Sequence, residues 1–195
     1  MAEALFGDLN PSGHLPDTFE KRWQDSPAYG NYPGDPANGG TVKYEEGIYT
    51  GYRWYDKKDI SPRFPFGFGL SYTKFRIDAL NVVQVLREPD LSKGSHWTVT
   101  AKVTNTGARA GACVAQLYVR PVNGSTDRPV QELKGFTRLH LQAGQSENVQ
   151  FTLDKTAYAT YDEHKHDWTY PPGQYEIALG TSSRDISCSR TVTFE

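Results

Sequence analysis

The feature that most constrains this chain is a run of strict alternation. In Trp97-Thr98-Val99-Thr100-Ala101-Lys102-Val103-Thr104 the apolar side chains recur at every second position, and hydroxyls and a lysine fill the gaps. Successive side chains on a strand point to opposite faces, so this pattern predicts a strand with one face in a core and the other in water. Similar runs recur downstream with turn signals between them. They are residues 75–80, 113–120, 130–136, 139–141, 149–153, 175–179 and 186–194, punctuated by Asn105-Thr106-Gly107, Ala143-Gly144 and Pro171-Pro172-Gly173. About seven strands over about 120 residues is the size of an antiparallel β-sandwich.

The first third of the chain reads differently. Ala2, Ala4, Leu5 and Phe6 suit the end of a helix that Asn10-Pro11-Ser12-Gly13 stops, a helix that looks cut from something longer. Residues 15–19 are expected to form a short strand. Residues 24–47 hold no convincing period, and Ser26-Pro27, Tyr32-Pro33-Gly34 and Asn38-Gly39-Gly40 mark a long loop with aromatics to pack. Residues 48–55 are amphipathic but of undecided type. Phe64-Pro65-Phe66-Gly67-Phe68-Gly69-Leu70 alternates rings with Gly or Pro, which suits a packed, irregular connector. The change of character places a boundary near residues 71–75, giving a segment 1–72 and a domain 73–195.

Composition excludes several functions. With 21 Lys and Arg against 23 Asp and Glu, the net charge of −2 offers no basic field for nucleic acid. No run of about 20 apolar residues predicts a membrane span. The first residues lack the basic and apolar regions of a signal peptide. Cys113 and Cys188, the only cysteines, each sit on the apolar side of an alternating run. They read as small buried hydrophobes, with a disulfide between them as the alternative.

The residues with chemical potential do not converge in sequence. Glu45 and Glu46 are adjacent, so they point apart on a strand and read as a solvated acidic loop. His164 and His166 share a strand face without an evident third ligand, and the charges around them suggest a polar hairpin tip; no metal or cofactor is expected. Ser12, Ser71, Ser182 and Ser183 lack a nucleophile-elbow context. Asn123-Gly124-Ser125 fits an N-glycosylation sequon. Trp54, Trp168 and Tyr170 are candidates for stacking on sugar rings, with packing inside the protein as the competing reading.

An ordered series of motifs points to a family. Gly7-Asp8-Leu9-Asn10-Pro11-Ser12-Gly13-His14-Leu15-Pro16, then Tyr44-Glu45-Glu46-Gly47-Ile48-Tyr49-Thr50-Gly51-Tyr52-Arg53-Trp54-Tyr55-Asp56, then Phe64-Pro65-Phe66-Gly67-Phe68-Gly69-Leu70-Ser71-Tyr72-Thr73 resemble segments near the C-terminus of family 3 glycoside hydrolases of the β-glucosidase type. Downstream, Gln116-Leu117-Tyr118-Val119, Glu132-Leu133-Lys134-Gly135-Phe136 and Gly180-Thr181-Ser182-Ser183-Arg184-Asp185 are similar to that family's fibronectin type III-like domain.

The resemblance implies a mostly β fold: a fibronectin type III-like (immunoglobulin-like) antiparallel β-sandwich at 73–195, preceded by an incomplete α/β segment at 1–72. It implies a retaining hydrolase acting on a β-linked glucoside or oligosaccharide, extracellular or periplasmic in the parent enzyme. Its Asp nucleophile and Glu acid/base would lie upstream, on the same or a separate catalytic chain, so no catalytic residue is expected here and the chain alone is expected to be inactive. Without the rest of its sheet, segment 1–72 is expected either to be largely disordered or to lie on the sandwich.

Overall fold

The computed structural model describes residues 2–34, 36–85, 96–122 and 127–194. The sequon at Asn123 lies outside them. Seven strands build two sheets: β1 (Phe75–Val85), β2 (His96–Asn105), β3 (Gly111–Pro121), β4 (Glu132–Leu141), β5 (Ser146–Leu153), and, after a small hairpin, β8 (Gly173–Gly180) and β9 (Ile186–Phe194). One sheet runs in the order β1-β2-β5 and the other β4-β3-β8-β9, with antiparallel neighbours throughout. The hairpin pairs β6 (Thr160–Asp162) with β7 (Asp167–Thr169). The fold is the mostly β, fibronectin type III-like sandwich that the alternating runs and the motifs imply.

The core follows the alternation. Val99 and Val103 of β2 are fully buried and face Leu117 of β3 and Ile177 and Leu179 of β8, all fully buried. Burying an aliphatic side chain of this size contributes about 1.5–3 kcal/mol, so these few positions supply much of the drive to close the sandwich. Trp97, half-buried at the start of β2, sets its ring edge-on to Phe194 at 5.4 Å. Residues 130–136 and 139–141, two runs in sequence, form the single strand β4, which begins at Glu132. Its register on β3 slips beside Gly135, between Leu117 and Tyr118.

Both cysteines are free thiols. Cys113 packs in the core opposite Leu139, and Cys188 is half-buried opposite Leu179. The reading as small hydrophobes describes them, and the alternative disulfide is not formed.

Segment 1–72 contributes little regular structure. It holds α1 (Ala2–Phe6), single turns of 3-10 helix at Trp23–Asp25 and Pro36–Asn38, and α2 (Tyr52–Lys57), which resolves the undecided stretch before residue 55. Residues 15–19 do not form a strand. Phe19 and, just before the run, His14 each make one isolated bridge to the connector, with Phe64 and Gly69 respectively. Pro16 has no N–H to extend a ladder there. The connector in return receives Leu15 N–H at Phe68 O (2.8 Å) and gives Gly67 N–H to Leu15 O (2.8 Å).

The segment lies along the outer face of the β4-β3-β8-β9 sheet. That placement matches the second of the two states expected for it. Its consequence is visible on β3, where both faces are buried: Leu117 and Val119 toward the core, Gln116 (3% exposed) and Tyr118 (0%) toward the segment.

Asn105 closes the junction between the two regions. Fully buried, it donates from Nδ2 to Arg109 O (2.7 Å) and Leu141 O (3.0 Å). Its Oδ1 accepts from Thr73 Oγ1 (2.6 Å) and Gly107 N–H (3.1 Å). Asn10, from the first motif, does the same job nearby: Nδ2 donates to Ala110 O (3.0 Å) and Oδ1 accepts from Tyr72 N–H (2.8 Å). A Cβ at Gly111 would run into the Asn10 amide, so a side chain there would have to displace Asn10.

Burial pushes the Cys113 thiol up to about 11, so it holds its proton in the folded state above the pH at which an unfolded cysteine ionises. The stability this contributes is fully present below the unfolded pKa and is lost as pH rises toward the folded one. Between about pH 9 and 11 the folded chain is therefore expected to lose stability on the order of 2 kcal/mol from this group. Urea unfolding of wild type and Cys113→Ala across that range checks it, the variant showing the shallower pH slope.

Candidate functional site

The chemically dense region is the seam where segment 1–72 meets the sandwich. At its centre Asp56, on α2, is held at both oxygens. Gln131 Nε2 donates to Oδ2 (2.7 Å) and the Arg184 guanidinium to Oδ1 (2.8 Å). Gln131 also donates to Ser183 O (2.8 Å), and its Oε1 accepts from Arg120 at 3.1 and 2.9 Å. Arg120 then reaches Glu176 Oε2 (3.1 Å). Burial raises the Asp56 carboxyl above the ordinary carboxylate range, with Gln131 and Arg184 pulling the other way. A cavity of about 520 Å³ opens beside these groups. Every polar group just named in it already has a protein partner, so the arrangement suits holding two surfaces together more than receiving a ligand.

A second knot lies beside the first. Arg53 of α2 bonds Glu132 (3.0 Å), which also faces Lys134 (3.4 Å) and the buried Arg128 (3.9 Å). Tyr52 accepts Leu133 N–H at its hydroxyl (2.8 Å) and sets its ring near Phe66 and Tyr118. Tyr49 and Lys57 both hydrogen-bond Asp127, the latter at 2.9 Å. Under the connector, Gln116 donates to Thr181 O (2.7 Å) and Gly67 O (3.4 Å) and accepts from Tyr118 OH (2.5 Å). Gly67 has φ +80°, and a Cβ there would strike the Gln116 amide.

The three sugar-stacking candidates are not brought together as one platform. Trp54 sits half-buried on α2, donates from its indole to Asp25 O (3.1 Å) and has Lys58 over its ring. It lines a cavity of about 370 Å³ with Tyr29, Glu45 and Glu46. Trp168 and Tyr170 belong to the β6–β7 hairpin. Trp168 is 55% exposed and pairs edge-on with Tyr161, while Tyr170 rests on Tyr158 with Lys155 over its ring. His164 and His166 occupy the hairpin tip, where the Asp162 carboxylate accepts the N–H groups of His164 and Lys165. No cluster of three metal-ligating side chains occurs among the described residues. No helix among them is long and apolar enough to cross a membrane.

With this geometry in hand, two family models match the chain: the glycosyl hydrolase family 3 C-terminal domain over residues 1–72 and the fibronectin type III-like domain over 113–183. The thermostable beta-glucosidase B of Acetivibrio thermocellus is 44% identical over 192 residues, 98% of this chain and 24% of that protein. The crystal structure of a family 3 beta-glucosidase from Bifidobacterium adolescentis matches with a TM-score of 0.89 at 41% identity, over 99% of this chain and 27% of that one. This chain belongs to glycoside hydrolase family 3. A second solved relative, the Kluyveromyces marxianus beta-glucosidase in complex with glucose, gives 0.87 at 35% identity, over 100% of this chain and 22% of that one. The chain spans about a quarter of the length of the curated relatives it matches.

Within this family 3 chain, the motifs and the seam are the same residues. Arg53 and Asp56 come from the second motif, Gly67 from the third, and Gln116, Glu132 and Arg184 from the downstream ones. Sequence reasoning singled these stretches out as family marks and did not see that they meet. Gln131 and Arg128, which tie the knots, lie outside every quoted motif.

Removing the Gln131 side chain would take from Asp56 Oδ2 its hydrogen-bond donor and leave Arg120 with Glu176 alone, at a cost of about 1–3 kcal/mol. In Gln131→Ala, hydrogen exchange is expected to speed up across α2 and residues 14–19. The amides of β2 and β5, in the far sheet, should keep their protection. Equal loss in both regions would show that the seam and the sandwich open as one unit.

Proposed function

We propose that this chain is the C-terminal portion of a secreted β-glucosidase-type enzyme that hydrolyses O-glycosyl bonds in carbohydrate metabolism. In this reading segment 1–72 is the tail of the parent's α/β sandwich domain, and residues 73–195 are its final domain. The sandwich acts as a buttress that fixes α2 and the loop before it against a rigid sheet. The observation that carries the reading is the joint match of both family domains in one continuous fold, at 0.89 to a solved β-glucosidase.

The parent's substrate would be a β-linked glucoside or oligosaccharide, and its compartment extracellular or periplasmic. The nucleophile and acid/base would be supplied upstream, on the same or a separate chain. The chain's own buried carboxylates support that division. Asp25 is clamped by Arg22 at 2.7 Å and Asp56 by Arg184 and Gln131, and these structural roles leave neither poised for proton transfer. Large apolar side chains on segment 1–72 support a missing neighbour: Leu5 is 74% exposed, Phe6 84% and Tyr44 80%.

A second reading, a carbohydrate-binding module, is favoured by one observation, the exposure of Trp168.

The purified chain is expected not to hydrolyse an aryl β-glucoside. Grafted in place of the matching 192 residues of the Acetivibrio thermocellus enzyme, it is expected to restore the activity lost on their deletion. Turnover by the isolated chain would overturn the assignment of the chemistry to upstream residues. A folded but inactive graft would overturn the buttress.

A further inference from the structure

His14 stands where the two regions of the chain close on each other. It forms the bridge to Gly69 that opens the contact between residues 14–19 and the connector. Its half-buried imidazole fills the space that a side chain on Gly69 would need, with Cδ2 and Nε2 at 3.0 and 3.1 Å from where a Cβ would lie. The hydrogen bonds of Leu15 N–H to Phe68 O and of Gly67 N–H to Leu15 O adjoin that seat. The connector then holds the sandwich, Phe66 O accepting Ser183 N–H (2.9 Å) and Gly67 O accepting from Gln116 (3.4 Å).

The ring is placed as a neutral base. Nδ1 lies 3.2 Å from Ser12 O, an atom that can only accept, so Nδ1 carries the proton. Nε2 is then the basic nitrogen, and no hydrogen bond reaches it among the described residues. A proton added there would put a second cation beside Arg138 of β4, whose Nη2 donates to the hydroxyl of the same Ser12 (3.0 Å). Across a cavity of about 710 Å³ the facing groups are Lys74, Cys113 and Asp185. Asp185 is engaged by Thr181 Oγ1 (2.6 Å), and the buried Cys113 thiol keeps its proton. Asp17, on the same stretch as His14, turns to Thr18 N–H (2.7 Å). His140, two residues beyond Arg138 on β4, is exposed. On the other side of the ring an apolar cavity of about 420 Å³ is lined by Leu15, Val114, Leu133 and Phe136. An imidazolium would thus meet more positive charge than negative, with empty space on either side into which to leave.

We propose that His14 is an acid-released latch: neutral, it seats residues 14–19 on the connector, and protonated, it lets both lift from the β4-β3-β8-β9 sheet while the sandwich stays folded. Burial holds the closed-state imidazole below the ordinary histidine range; the Ser12 carbonyl pulls the other way, and the Arg138 charge adds to the lowering. Once released, the ring returns to water and takes a proton more readily. The closed state's advantage is therefore fully present above the ordinary histidine pKa of about 6.5. It is lost as pH falls through the lower closed-state value. Opening stays local because segment 1–72 has little core of its own. Among its described residues Tyr55 is the one buried apolar side chain, whereas the sandwich buries the rest.

Hydrogen exchange and NMR on the full chain test this. Corrected for intrinsic rates, protection of the Leu15 and Gly67 amides should fall several-fold between about pH 7.5 and about pH 5. The His14 ring should titrate below the ordinary histidine range, and the amides of β2 and β5 should keep their protection. His14→Phe, which keeps a ring but has no site for the proton, should remove the pH dependence. Arg138→Gln should bring the His14 titration back toward the ordinary value and make the fall shallower, a response that a merely structural role would not produce. His140→Gln should behave as wild type. Protection that does not change with pH, an equal fall in His14→Phe, or loss of β2 and β5 protection in step would each overturn the proposal. So would a His14 ring that titrates at or above the ordinary value, a measurement made on wild type that needs no variant to fold.

Discussion

The two-sided burial of β3 is the constraint on which the rest depends. A strand in a two-layer sandwich normally keeps one face in water. Here the outward residues Gln116 and Tyr118 are buried, and their polar atoms must find partners inside protein. They find them in Thr181 O, Gly67 O and each other. The connector can come close enough only because Gly67 carries no side chain and tolerates φ +80°. Further out, α2 is held to the same sheet by Tyr52, Arg53 and Asp56, and Tyr49 by its bond to Asp127.

The seam is polar for a physical reason. A short helix and several turns leave many backbone groups without intrasegment partners, so the surface that receives them must offer hydrogen bonds. Asn10, Asn105, Gln116 and Gln131 supply amide groups that donate and accept at once. Arginines then join these amides to carboxylates on the facing element. A purely apolar sheet face would bury more hydrophobic area but would leave those backbone groups stranded. The arrangement favours one docking position over sliding, because each amide fits one set of partners.

This gives the family 3 relationship a mechanical content. Residues from each of the shared motifs, Asn10, Arg53, Asp56, Gly67, Gln116, Glu132 and Arg184, are contact residues of one intramolecular joint, while Leu117 and Val119 from the same stretches lie in the core. A chain that covers about a quarter of its relatives' length still folds that joint completely, because both of its sides are present. What it leaves open is the opposite side of segment 1–72, where Phe6 and Tyr44 face solvent.

Much of the sandwich was legible in sequence because a strand's period of two is a local property: Val99, Ala101 and Val103 announce their face without reference to anything distant. The motifs carried the family in the same local way. The hairpin strands were not legible as strands, since three residues hold too little pattern, though their polar tip was. Residues 15–19 looked like a strand and are not, because Pro16 interrupts the ladder. The burial of Gln116, the pairing of Asp56 with Gln131 and Arg184, and the separation of Trp54 from Trp168 were beyond the sequence. Each depends on groups tens of residues apart meeting across two surfaces. By itself the sequence determined the strands, the core faces and the kinship. Only the tertiary structure decided which polar residues became a joint and which aromatic residue was left facing water, because burial is a property of what covers a residue and not of the residue.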